Sequence, residues 1–261
     1  MRQVRMYVDG YNFYYAVKRL YGLEREQAGQ KSLIGLGWCD FRRLGEHMID
    51  RSSEAITEIK YFTARAAQDY PGHPGESQRQ LTWLRAVNTI SGLRTILGRL
   101  SDPRRSRSSG TDLKPDRTEK HTDINIAIEL LMDALDAKGN QKTILISADT
   151  DLAPAVYALQ KGIVDRGLVR NGTSVDVWLT PGGSDHGWKA FFNDPEHRCP
   201  IRIKRIDEPM LAKSLLPYEK SQVYACPRFW RLPAAYLNEM VPEDLRPDTE
   251  IRASNAKRIS D

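Results

Sequence analysis

Cysteine is scarce in this sequence. Cys39, Cys199 and Cys226 are odd in number and far apart, and no CxxC pair occurs. That spacing suggests neither a zinc knuckle nor a disulfide framework, so the thiols read as ordinary core or surface residues. Histidine is sparse too: His47, His73, His121, His186 and His197 are scattered, and none is spaced for zinc. No run of about 18 apolar residues exists, so nothing should span a membrane. The opening MRQVRMYVDGYNFYY reaches a charged Asp too soon for a signal-peptide core, and the expectation is a soluble, cytoplasmic protein. Internal repeats are absent.

What is present is enough for a real core: 261 residues, 40% of them hydrophobic. The length allows one large domain, or one of ordinary size with an appendage. The net charge of +5 favours a polyanionic partner. Its distribution says more, because Arg99, Arg104, Arg105, Arg107, Lys114 and Arg117 crowd one stretch rich in Ser, Gly and Pro. Such a stretch is too polar to pack and reads as a flexible basic loop.

Along the chain, short apolar runs alternate with helical patterns. Strands are expected at 3–8, 58–64, 93–100, 142–147 and 174–179, and helices at 11–20, 41–49, 76–90, 122–135 and 152–160. Residues 22–37 carry three glycines and no clear period, so a loop is expected there. In the helix over 122–135, Ile124, Ile128, Leu131 and Leu135 repeat at three-to-four spacing and predict the buried face. Alternation of this kind argues for βαβ units and a parallel sheet covered on both faces. After Gly183 the rhythm fails. Short helices near 188–192 and 208–215 and one strand at 201–206 are all that is expected of residues 183–261, a C-terminal extension suited to dimerisation or to covering a sheet edge.

Open parallel sheets bind ligands at the carboxyl ends of their strands. Two acidic clusters fall at such ends: Asp9 after the first strand, and Asp149 with Asp151 after the apolar run Ile144-Leu145-Ile146. Asp123 opens the 122–135 helix just after the basic loop. Carboxylates crowded together repel unless a cation neutralises them, and an all-oxygen set suits Mg²⁺ or Mn²⁺. Each acid also has a plainer reading, as a helix cap or a first-turn charge favoured by the helix dipole. Tyr14 and Tyr15, in the aromatic run beside Asp9, are placed to stack on a base, although core packing explains most of that run.

VDGYNFYYAV at 8–17, EKHTDINIAIELLMDAL at 119–135 and ILISADTDLAPAVYALQKG at 144–162 resemble, in order, the three signature blocks of the NYN family of PIN-like nucleases. The resemblance covers residues 1–182. It implies a Rossmann-like three-layer α/β/α sandwich with a mostly parallel central sheet, and metal-dependent hydrolysis of RNA. By the same resemblance Asp9, Asp123, Asp149 and Asp151 are the metal-binding acids. Asn12 is the polar residue one turn on, and Lys120 is the lysine before the mid-domain acid. Where the family commonly has Gly and an apolar residue, this chain has His121 and Thr122. Arg104, Arg105, Arg107 and Lys120 are the expected contacts to single-stranded RNA, and His121 stands near enough to meet a phosphate.

Two other readings compete. A phosphatase of the haloacid-dehalogenase type would need a second Asp two positions after Asp9, where this chain has Tyr11. A non-catalytic RNA-binding module would keep the same fold and basic loop; the intact acid set disfavours it.

Overall fold

The computed structural model describes residues 1–65, 69, 74–100, 119–136, 141–168 and 173–247, with Leu100, Glu119 and Lys120 described by backbone alone. Arg104, Arg105 and Arg107, expected as RNA contacts, lie outside the described residues.

The chain opens with β1 (Arg2–Asp9), which passes directly into α1 (Gly10–Val17). The helical run continues through a π-helical stretch, Lys18–Leu23, into α2 (Glu24–Gln27). Residues 22–27 are helical where a loop was expected, and the expected loop holds at 28–33 before the 3₁₀ turn. Tyr21 is buried there, and its packing outweighs the poor helix propensity of Gly22. A 3₁₀ turn, Ile34–Gly37, leads to α3 (Phe41–Glu46), where Asp40 accepts from the backbone N–H of Arg42 and Arg43. Asp40 is therefore the N-cap of α3.

Next come β2 (Glu54–Ala64), α4 (Glu76–Val87), β3 (Leu93–Leu100) and the two-residue β4 (Glu119–Lys120). After α5 (Thr122–Leu135) and β5 (Gln141–Ile146), a 3₁₀ turn over Thr150–Leu152 enters α6 (Ala153–Tyr157), a π-helical stretch and α7 (Ile163–Asp165). β6 (Ser174–Leu179), α8 (His186–Asn193), β7 (Arg202–Arg205) and α9 (Glu208–Ala212) follow, then a small hairpin of β8 (Glu219–Lys220) and β9 (Tyr224–Ala225), and finally α10 (Ala234–Met240).

The sheet runs β4-β3-β2-β1-β5-β6-β7, parallel throughout except for β4, which pairs antiparallel with β3. A mostly parallel sheet must be covered on both faces, and it is. Val4, Met6, Val8, Ile144 and Ile146 point into one core with α1, α3 and α4. Tyr7, Phe62, Leu145, Val175 and Val177 point into the other with α5, α6 and α8. This is the expected three-layer α/β/α sandwich. The residues after Gly183 supply β7 to the same sheet, and Leu215, Tyr224, Trp230 and Leu237 join the first core, where Trp230 packs on Trp38 and Trp83.

One expectation fails on α5. Ile124, Ile128 and Leu135 are exposed, and the buried stripe is Ile126, Leu130 and Ala134, with Leu131 at its flank. Residues two apart on a helix sit about 200° apart, and α5 is apolar on both faces, so periodicity could not choose between them. The choice falls to the polar flank of the buried stripe. Glu129 and Asp133 both reach the ammonium of Lys60, a residue buried on β2, and Glu129 also bonds Arg94 at 2.9 Å. Turning the other face inward would take both carboxylates from that buried charge and leave it only Glu58 at 3.9 Å, a destabilising loss.

Candidate active site at the carboxyl ends of the central strands

β1 runs on to β2 on one side, whereas β5 lies on its other side. The chain order reverses between β1 and β5, so a crevice opens at their carboxyl ends. Asp9 is the last residue of β1 and lies on the crevice floor, 4% exposed. The residue after it has to be glycine: a Cβ at Gly10 would fall 2.5 Å from the Tyr61 ring and 2.6 Å from the carbonyl of Phe62. Gly10 thereby lets α1 start hard against β2, which aims the first turn at Asp9.

One carboxylate oxygen of Asp9 accepts from the Asn12 backbone N–H at 3.0 Å, and the other from the Ser147 hydroxyl at 2.9 Å. Ser147 Oγ in turn accepts from the Asp149 N–H at 3.0 Å. The two acid-bearing strand ends are therefore joined by one hydroxyl. The Asn12 side chain holds the next residue over: its Oδ1 accepts from the Ala148 N–H at 3.0 Å and from the Thr180 hydroxyl at 2.8 Å. Asp149 caps the turn that follows, accepting from the Asp151 N–H at 3.0 Å. The capping reading of Asp149 is thus correct, and it leaves the second carboxylate oxygen for other partners. The 180–187 loop walls the crevice closely. A Cβ at Gly183 would come within 2.8 Å of Ala148, and one at Gly187 within 2.6 Å of Thr150.

Electrostatics link Asp9 and Asp123 to their acidic neighbours. Burial pushes the Asp9 carboxyl up to about 6; the Asn12 and Ser147 hydrogen bonds pull it down, while the charges of Asp123 and Asp149 push it up further. Asp123 is likewise raised, by burial first and then by Asp149 and Asp151. Asp9 forms the floor, Asp149 is half-buried, and Asp123 and Asp151 stand exposed at the rim. Asp9 thus feels the charge of Asp123 and Asp149, and Asp123 that of Asp149 and Asp151. Yet among the described residues no three His, Cys, Asp or Glu side chains are drawn together as a ligand set. The donor set is all carboxylate, mutually repelling and partly dehydrated, and its chemistry fits a hard divalent cation.

Other expected residues fall as follows. Lys120 lies on β4, paired in register with Arg99. His121 is exposed, at φ 73° and ψ −2°, in the left-handed region directly before α5. The position where the family commonly has glycine is therefore one that favours glycine, and here a histidine holds it. Glu129, one helical turn and a half beyond Asp123, turns away to Lys60. Ser147, Thr180 and Gly10 were missed. Ser147 sits two residues before Asp149 in ILISADTD, but only the adjacency of β1 and β5 reveals what it does.

A mostly parallel α/β/α sandwich with helices on both faces is the PIN-like fold class. Within that class the NYN domain family model matches residues 3–166, and the chain belongs to this family of PIN-like nucleases. No curated protein matches the chain. Among the described residues, no helix is long and apolar enough to cross a membrane.

Proposed function

We propose that this protein is a divalent-metal-dependent ribonuclease that hydrolyses phosphodiester bonds in single-stranded RNA. The observation that carries the reading is the Ser147 hydroxyl that links Asp9 to the Asp149 backbone at the β1 and β5 strand ends, with Asp123 close enough to raise the Asp9 carboxyl, on a chain of nuclease family. Asp9 and Asp149 would hold Mg²⁺ or Mn²⁺ directly, with Asp123 and Asp151 binding directly or through water. Such an ion would supply a water of lowered pKa and offset charge on the leaving oxygen. Asn12 is a positioning residue, because it acts through the Ala148 backbone and Thr180 rather than on the phosphate. Ser147 holds Asp9 ionisable and fixes its orientation toward Asp149. Lys120, on β4 just before α5, and Arg104, Arg105 and Arg107 would meet the RNA backbone.

The test is labelled single-stranded RNA incubated with wild type and Asp149→Asn in Mn²⁺, Mg²⁺ or EDTA. Cleavage is expected with wild type in metal, and to vanish with EDTA or the variant. The near-isosteric Asn still caps the turn and removes a like charge, so the metal-free thermal midpoint should hold or rise. Full activity with a lowered midpoint would reduce Asp149 to a helix cap. RNA binding by wild type without turnover would instead mark a non-catalytic RNA-binding module.

A further inference from the structure

Four large aliphatic side chains stand outward on α5. Ile124, Ile128, Met132 and Leu135 are each between 44% and 57% exposed. At about 100° per residue they share one stripe about 80° wide. Ala127 and Leu131, both partly buried, continue it toward the second core. Helix stability does not call for this stripe, since isoleucine forms helices less well than the lysine, glutamate or glutamine usual on a solvated face. The core does not call for it either, because Ile126, Leu130 and Ala134 already fill that side. One helix thus carries two apolar faces, and the fold covers one of them.

We infer that the outer face of α5 pairs with the same face of a second copy of this chain, across a two-fold axis. Spacing, charge and area together name that occupant. Ile124, Ile128, Leu131 and Leu135 follow at steps of four, three and four, the spacing at which two helices interdigitate along a seam. Asn125, Ala127 and Met132 border the seam and carry no charge, while the carboxylates of Glu129 and Asp133 are turned away to Lys60. An identical face therefore brings no like charges onto the seam, whereas a surface made for a charged partner would carry a charged border. The exposed side chains offer about 400 Å² of apolar surface per copy, a patch of the size that is often functional on a soluble protein. Two copies hide about 800 Å² there, and a polar rim brings the total to about 1,200 Å², the low end of specific interfaces. Pairing is therefore reversible and depends on concentration. The basic stretch 101–118 is no substitute for the second copy, because Leu113 is its one large aliphatic residue.

The experiment is sedimentation velocity on the full chain at concentrations up to about 100 µM, as a small interface demands. It is run on wild type, Ile128→Glu, Met132→Glu and a control, Phe229→Glu, with each thermal midpoint recorded. Phe229 is 48% exposed but lies beside Trp230, on the opposite layer of the sandwich. Wild type should pass from monomer to dimer as concentration rises. A carboxylate forced into the seam should weaken dimerisation about a hundredfold or more in either α5 variant. Phe229→Glu should dimerise as wild type does. Ile128 and Met132 are 52% and 53% exposed, so the variants should keep the fold, and Met132→Glu carries the test if Ile128→Glu does not. A wild type that stays monomeric throughout would overturn the inference and leave the face to a different protein. A dimer that survives in a folded α5 variant, or that Phe229→Glu splits equally, would put the interface elsewhere and overturn it as well.

Discussion

The hydroxyl of Ser147 donates to a carboxylate oxygen of Asp9 at 2.9 Å, across 138 residues of chain, while accepting the backbone N–H of Asp149. Ser147→Ala should therefore disturb both acids at once. Asp9 would lose a hydrogen bond that lowers its pKa, so its carboxyl should move above about 6. Leaving a buried acceptor unpaired costs about 1–3 kcal/mol. Urea unfolding and a carbonyl-carbon NMR titration of Asp9 would check this. An unshifted Asp9 titration would show that the hydroxyl is incidental.

Asp9 should also make the metal-free protein's stability fall as pH rises. Its folded pKa, about 6, lies above the ordinary aspartate value of 3.8, chiefly through burial. A raised folded pKa contributes stability that is fully present below the unfolded value and is lost as pH climbs through the folded one. A difference of roughly two units corresponds to about 3 kcal/mol, lost between about pH 4 and pH 7. Asp9→Asn is neutral at every pH, so unfolding free energies in EDTA at pH 5 and 7.5 should differ less for the variant. Identical slopes would remove Asp9 as the cause.

His121→Gly should stabilise the protein. The histidine sits at φ 73°, a region that costs an L-residue about 1–2 kcal/mol, part of which glycine returns through its greater freedom when unfolded. A net gain of about 0.5–1 kcal/mol is expected in chemical denaturation, with RNA turnover preserved. Loss of turnover together with that gain would give the imidazole a part in substrate binding.

Replacing Arg104, Arg105 and Arg107 by Ala should weaken RNA binding and flatten its salt dependence. Every arginine–phosphate pairing removed from a single strand lowers the slope of log affinity against log salt by about 0.7, so three together amount to about 2. Binding isotherms at several salt concentrations decide it, and an unchanged slope would leave this stretch a solvated loop.

The sequence by itself determined the fold class and the places of the four acids. Asp9, Asp123, Asp149 and Asp151 each close a strand or open a helix, and those boundaries follow from local periodicity and capping, which are properties of neighbouring residues. Only the tertiary structure decided what joins them. Ser147, Thr180 and Gly10 act across strands that are far apart in sequence, and nothing local marks which strands will be neighbours. The same holds for α5, apolar on both sides, where the buried charge of Lys60 on β2 selected the Ile126–Leu130 face over the Ile124–Ile128 one. A helix's periodicity reports that it has a face to bury. The partner across the interface, with the cost of taking its closest carboxylates away, fixes which face that is.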